Sequence, residues 1–376
     1  MQLNIEKYLE ELEYLVNIDS GSKYPKGTGK VADFFVKKYK EIGWEVEEIK
    51  LSDEAGPILK INNKKNSDQY DVLLLGHMDT VFPVGEAKKR PFMIEGNKAF
   101  GPGVNDMKNG LLAMYYSIEH LQESEKLRNT SVCVLLNSDE EISSRYSNTM
   151  IREEAKKSAC VFVLEPARAD GSMVNERKGV GRYFIEFKGR AVHAGVEPEK
   201  GISAIEELGN WIIKLQQLTN FETGTTVNVG VISGGTVANV VAEKASAEVD
   251  LRFKNTEEAE KVDRTIRKMQ QDPFVKGVEV EVRGGVTRPP MNPSRETLRL
   301  CEKISAIAEE LKIETRWITT GGGSDGSLTA DEGVVTIDAI GPVGGGSHGA
   351  GEYILLDSIE PRMQLLIKSL ELVLKR

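Results

Sequence analysis

Asp71-Val-Leu-Leu-Leu-Gly76, followed at once by His77-Met78-Asp79, is the stretch that decides how this chain is read. A short unbroken apolar run predicts a strand buried on both faces, as in a parallel sheet covered by helices. A histidine and an aspartate two apart then stand at its carboxyl end, where open α/β sheets collect their chemistry. The spacing suits a metal-binding imidazole whose neighbouring carboxylate orients the ring or binds directly. It suits equally well a hydrogen-bonded histidine closing a strand, so the tripeptide leaves both readings open. With four histidines in 376 residues, placing one here is informative.

Outward from that strand, apolar runs alternate with helical periodicity. Residues 5–16 and 30–42 are helical in period. Residues 107–122 place Leu111, Leu112, Met114, Ile118 and Leu121 on one helical face. Strands are predicted at 131–136 and 160–164, with a helix at 148–157 between them. This alternation argues for an α/β domain with a mostly parallel sheet covered on both sides. Near Gly179 the rhythm changes. Strands at 181–187, 225–232, 244–253 and 278–282, with helices at 202–218 and 256–270, run β-α-β-β-α-β, the ferredoxin-like arrangement. A helix at 294–311, a strand at 334–340 and a closing helix at 358–374 return to the first pattern. The chain therefore reads as residues 1–178 and 288–376 forming one discontinuous domain, with 179–287 inserted as a second.

Composition bounds the function. Hydrophobic residues at 40% and charged residues at 28% are ordinary for a globular protein. A net charge of −9 argues against a nucleic-acid partner, which needs a basic face. No apolar run approaches membrane-spanning length, and the acidic amphipathic start, Met1-Gln-Leu-Asn-Ile-Glu-Lys-Tyr-Leu-Glu10, has no signal-like core. Cys133, Cys160 and Cys301 are widely spaced and read as small buried side chains in a reducing compartment, which places the chain in the cytoplasm.

Acids and histidines recur at the strand ends. Asp106, in Gly101-Pro-Gly-Val-Asn-Asp-Met-Lys-Asn-Gly110, precedes an amphipathic helix as either a helix cap or a metal-bridging carboxylate. Ser138-Asp-Glu-Glu141 follows a second strand. It is either a solvated helix start, or one glutamate on a metal beside another that takes a proton from water. Glu165 closes a third strand. Gly344-Gly-Gly-Ser-His348-Gly-Ala-Gly351 carries a second histidine on a loop lacking the lysine and hydroxyl of a phosphate loop. His120, inside a predicted helix, reads as structural.

Together, Leu-Gly-His77-Met-Asp79-Thr-Val, Gly-Pro-Gly-Val-Asn-Asp106-Met-Lys, Asp-Glu140-Glu141, Leu-Glu165-Pro and Ser-His348-Gly resemble, in order, the dinuclear zinc metallopeptidases and aminoacylases of peptidase family M20. The likeness is greatest to the glutamate carboxypeptidases, of carboxypeptidase G type. It implies a phosphorylase/hydrolase-like zinc exopeptidase fold with an inserted lid and dimerisation domain. By the same resemblance, His77 and Glu165 hold one zinc, Glu141 and His348 the other, and Asp106 bridges them. Asp79 stands behind His77, and Glu140 is the general base. Cobalt or manganese are possible substitutes, because nitrogen and oxygen ligands discriminate weakly among these ions. His193, Asn239, Arg288 and Gly323 are the implied substrate contacts, and a guanidinium such as Arg288 suits a carboxylate clamp. The implied substrate is a small peptide or N-acyl amino acid cleaved beside a free carboxylate, and the implied assembly a homodimer. N-acyl-amino-acid deacylases of the acetylornithine or succinyl-diaminopimelate type, and dipeptidases, share the metal core. A metal-dependent binding protein is the non-enzymatic alternative, against which Glu140 argues. The sequence departs from the family's pattern beside its ligands, with Asn109 before Gly110 and with Ile142-Ser143-Ser144.

Overall fold

Val72–His77 is an inner strand of a six-stranded sheet in the computed structural model, which describes residues 3–65 and 67–374. The strand order is Glu45–Ile49, Ile58–Asn62, Val132–Asn137, Val72–His77, Cys160–Val163 and Val335–Ile337. Val72–His77 runs parallel to both neighbours, and Val335–Ile337 is parallel to Cys160–Val163. The first two strands add an antiparallel edge. The outer of these two escapes periodicity analysis because Glu45-Val-Glu-Glu-Ile49 is short, charged and largely exposed.

Strand alternation explains why an unbroken apolar run is needed here. Val72 and Leu74 join the larger core with the Ile5–Val16, Asn109–Glu123 and Ile359–Leu374 helices. Leu73 and Leu75 point the other way, into a core with Ile151 and Leu328. Each fully buried leucine contributes about 2 kcal/mol of transfer free energy, so both faces resist a polar residue. Gly76 has a different reason. A Cβ there would lie 2.6 Å from Leu111 Cδ2 and 2.9 Å from Met107 Cε, so the strand end accepts the helix only without a side chain.

Some boundaries differ from those read off the sequence. The first helix is Ile5–Val16, with Asn4 accepting from the Lys7 amide at 3.1 Å; Met1 and Gln2 lie outside the described residues, as do the last two residues. The second begins at Pro25, five residues early, because proline at the first helical position needs no apolar partner. The helix expected from Met107 starts at Asn109.

The contacts divide the chain into two compact units, residues 1–176, 291–320 and 324–376, and residues 177–290 with 321–323. The second unit thus begins before 179, ends after 287, and takes in three residues that the sequence assigns to the first domain. Arg177 donates to the carbonyls of Gly322 and Gly323, and Arg252 to that of Gly321, which ties those residues in. This unit is a four-stranded antiparallel sheet in the order Thr226–Gly234, Lys244–Phe253, Gly179–Lys188, Glu279–Arg288. Helices Ala204–Gln216 and Thr256–Gln271 cover one face, capped by Ser203 and Asn255. The last strand continues to Arg288, beyond the expected Val282. Its polar Arg283-Gly-Gly285 stretch hides it, and Gly284 takes φ +91°, where a Cβ would meet the Arg182 carbonyl at 2.1 Å.

Candidate metal centre

Three adjacent parallel strands deliver their carboxyl ends to one edge of the large sheet. His77 closes one of them and pairs in register with Asn137, and Leu164 donates its amide to the Leu75 carbonyl at 3.0 Å. His77, the loop after Asn137 and Glu165 are therefore neighbours because their strands are.

Asp106 stands between two imidazoles. Its Oδ1 lies 3.1 Å from His77 Nε2 and its Oδ2 3.2 Å from His348 Nε2. Glu165 Oε1 is 3.5 Å from His77 Nε2, and Glu141 Oε2 is 3.2 Å from His348 Nε2. The ligand atoms of His77, Asp106 and Glu141 all fall within 4.8 Å of one another. Asp106 is no helix cap: the residue before the Asn109–Glu123 helix is Lys108, and no side chain caps its first turn. The helix instead comes so close to the strand ends that a Cβ at Gly110 would lie 2.2 Å from the Leu164 carbonyl.

The three consecutive carboxylates that the sequence places in conflict are separated. Asp139 turns into its own loop, accepting from the amides of Tyr146 and Ser147 at 2.6 and 3.1 Å and from Ser147 Oγ at 2.6 Å. Glu140 and Glu141 start a short helical turn whose two amides donate to the fully buried Asp79 carboxylate, each at 3.1 Å. Asp79 also accepts from Ser22 Oγ at 2.6 Å. Its carboxylate is 3.4 Å from His77 Nδ1, which lies closer, at 3.0 Å, to the Asp79 backbone oxygen. Asp79 thus orders both the histidine and the glutamate turn.

The charges explain the protonation of the centre. Burial works against a charged His77, but Asp106, Asp79 and Glu165 outweigh it and hold its pKa well above the usual imidazole value. Asp106 and Glu141 raise His348 to about 11. Burial raises Asp106, yet His348 and His77 leave it well below the usual carboxylate range. Burial lifts Glu141 to about 7, with His348 opposing and the Asp106 charge adding. One Glu141 oxygen, Oε1, is buried without any hydrogen-bond partner. An orphaned carboxylate oxygen costs on the order of 1–3 kcal/mol. The donor set of two imidazoles and three carboxylates fits divalent cations on either side of a shared carboxylate, and a cation would satisfy that oxygen.

A model of peptidase family M20/M25/M40 matches residues 73–372. The chain belongs to this family. Carboxypeptidase G2 of Pseudomonas sp. strain RS-16 is 29% identical over 366 residues, covering 95% of this chain and 87% of that protein. A succinyl-diaminopimelate desuccinylase of Polynucleobacter necessarius is 27% identical over 367 residues, covering 91% and 94%. The fold is shared by an M20-family metallo-carboxypeptidase from Sulfolobus solfataricus, with TM-score 0.80 at 19% identity over 98% of this chain and 99% of that one. This M20 chain is a hydrolase with carboxypeptidase-type relatives.

The structure accounts for both departures from the family's pattern. Asn109 is buried with its Oδ1 accepting from the Tyr8 hydroxyl at 2.6 Å, so the larger side chain has a partner. Ser143 takes φ +68°, the conformation glycine adopts freely, and the Ser144 hydroxyl donates to Asp325.

The four substrate candidates lie in the second unit. His193 is exposed, its Nδ1 accepting from the Gly195 amide at 3.1 Å, and it bridges Val240 beside the exposed Asn239. Arg288 is buried next to Gly323, where a Cβ would come within 3.1 Å of Arg288 Cδ. Sequence reasoning missed Glu352. This fully buried acid accepts from the amides of Gly103, Asn105 and Asp106 at 3.0, 2.9 and 2.9 Å, and burial pushes its carboxyl up to about 7. Four residues after His348 on a glycine-rich loop, its only signal was an acid with no periodicity to explain it. Asp325 accepts from Asn137 and Ser144 and braces the loop that follows the glutamate turn.

Proposed function

We propose that this chain is a dinuclear metallo-exopeptidase that cleaves an amide bond beside a free carboxylate, most like a glutamate carboxypeptidase. The observation carrying it is the Asp106 carboxylate facing one imidazole with each oxygen, next to a Glu141 oxygen that has no partner. His77 and Glu165 are assigned to one ion, Glu141 and His348 to the other, and Asp106 to both. Zinc suits this nitrogen and oxygen set, with cobalt or manganese as substitutes. When bound, two such ions polarise the scissile carbonyl and acidify water. Glu140 takes the proton from the attacking water and hands it to the leaving amine. It can do so because its amide, held by Asp79, fixes the turn while Glu141 is directed to His348. Arg288, beside Gly323, is assigned to the substrate carboxylate, with His193 and Asn239 as further substrate contacts.

Two further assignments belong to this reading. The edge strand Thr226–Gly234 leaves Val231 and Ile232 exposed, which favours a homodimer formed through the second unit. Cys133, Cys160 and Cys301 are buried and in no disulfide, which favours a reducing compartment, the cytoplasm; among the described residues no helix is long and apolar enough to cross a membrane. A deacylase or dipeptidase on the same centre is the alternative, favoured by the likeness to a desuccinylase.

Replacing Glu140 by alanine tests the mechanism. Turnover should fall at least about a hundredfold, the usual size of a general-base contribution, with metal content nearly unchanged. Lost metal with unaffected turnover would sink the role given to Glu140. A panel of C-terminal glutamate amides, N-acetyl amino acids and dipeptides separates the carboxypeptidase from its alternatives.

A further inference from the structure

A cavity of about 410 Å³ opens beside the centre, within the first unit. Glu141 forms part of its wall, so the cavity is continuous with the group assigned to one metal. The volume lies within the range of roughly 300–1,000 Å³ usual for small-molecule sites. Its lining is mostly apolar: Tyr24, Val81, Phe82, Val84 and Ile142. Val81 and Val84 are 42% and 59% exposed, apolar surface that the fold itself leaves uncovered.

The wall is built rather than incidental. Arg90 holds Phe82 from one side, its guanidinium carbon 4.8 Å from the ring centroid. The same guanidinium donates to the Ala350 carbonyl at 3.0 Å, on the loop that carries His348, and is anchored by Glu86 at 2.6 Å. The segment is tied down again where Asp19 accepts from the amides of Gly85 and Ala87 at 2.7 and 2.8 Å. Arg90 thereby links the Phe82 wall to the loop that carries His348.

Resting on the exopeptidase reading, we propose that this cavity is the acyl-side subsite and that it selects a bulky apolar acyl group. A scissile carbonyl at the centre carries an acyl group on one side and the carboxylate-bearing amine on the other. Recognising a carboxylate calls for a well-placed, partly desolvated cation. The cavity's one basic side chain, Lys23, is exposed at its edge, and the remaining walls offer burial for hydrocarbon. The acyl half is the part of the substrate that these walls fit.

The test is a series of N-acylglutamates, from acetyl through butanoyl and hexanoyl to benzoyl, with the metal-loaded enzyme. The expected result is a rise in kcat/KM of about fourfold per buried methylene until the cavity is full. Val84→Asp and Val81→Asp should each lower the benzoyl-to-acetyl ratio of kcat/KM at least tenfold. Lys23→Met should leave that ratio within twofold. A flat series, or a ratio unmoved by both valine substitutions, overturns the proposal. So does a rise of at least tenfold in KM for every acylglutamate of the series in Lys23→Met, which would give the cavity to the amine half. Calorimetric binding of the same compounds to metal-loaded Glu140→Gln should give the same ranking, and equal binding of all acyl groups would overturn the subsite. If wild type hydrolyses none of the series, the exopeptidase reading fails, and the binding ranking still decides the cavity.

Discussion

Glu352→Gln isolates what holds the bridging carboxylate in place. In the native protein one Glu352 oxygen accepts from the Asn105 and Asp106 amides and the other from Gly103, with no exposure to solvent. Alanine would orphan three buried donors at about 1–3 kcal/mol each, enough to threaten a fold whose total stability is on the order of 5–15 kcal/mol. Glutamine is the sharper probe. Its single oxygen can keep two of the amides, while its NH2 group confronts the third, a net loss of about 1–2 kcal/mol. Asp106 owes its position to that loop, so metal affinity should fall about tenfold to a hundredfold, the usual effect of removing a partner behind a ligand. Urea unfolding of the metal-free protein reads the first quantity, and competition with a chromophoric chelator reads the second. Unchanged metal affinity in a stably folded Glu352→Gln protein would refute the claim that this carboxylate positions Asp106.

The pH dependence of metal uptake follows from the raised imidazoles. His77 lies well above the usual value and His348 at about 11, so both hold protons at neutral pH in the metal-free centre. A cation must displace those protons, so affinity rises with pH below these values, by about tenfold per pH unit per displaced proton. Calorimetry in buffers of different ionisation enthalpy should record proton release on binding, and none would contradict the ligand assignment. In the second unit, Glu207 is fully buried and accepts from Trp211 Nε1 at 2.7 Å and the amides of Phe274 and Val275 at 3.1 and 2.6 Å. Glu207→Ala should destabilise that unit by about 3–5 kcal/mol, read by denaturant unfolding through tryptophan fluorescence.

The strand-end residues were legible because periodicity and chemistry coincide there. His77 and Glu165 each follow an apolar run that only a doubly covered strand explains, and Glu140 and Glu141 come three and four residues after the strand that ends at Asn137. Asp106 was ambiguous, since an aspartate before a helix is an ordinary cap, and only the structure removes the cap and sets its carboxylate beside two imidazoles. Glu352 and Asp325 were illegible as braces because their partners are backbone amides and loop side chains far away in sequence. Nothing in a residue's own neighbourhood announces a bond to position 103 from position 352. The outer antiparallel strand, Glu45–Ile49, was hidden for the opposite reason: its residues are largely exposed and carry no burial pattern.

Charge compensation supports the proposal that the centre holds divalent cations. Six carboxylates gather there: Asp79, Asp106, Glu140, Glu141, Glu165 and Glu352. Two of them are answered by fixed dipoles, Asp79 by the Ser22 hydroxyl and two amides, Glu352 by three amides. Asp106, Glu141 and Glu165 lie within 3.5 Å of the two imidazoles. Without metal, Asp106 and Glu141 hold a proton on His348, raised to about 11, while burial, with the Asp106 charge adding, lifts Glu141 to about 7. Protonated ligands cannot bind metal, so the same field that traps protons is the one that pulls divalent ions in to replace them. Divalent ions in their place would free both imidazoles to act as neutral ligands, and the partnerless Glu141 oxygen is a position where the proposed centre would hold one.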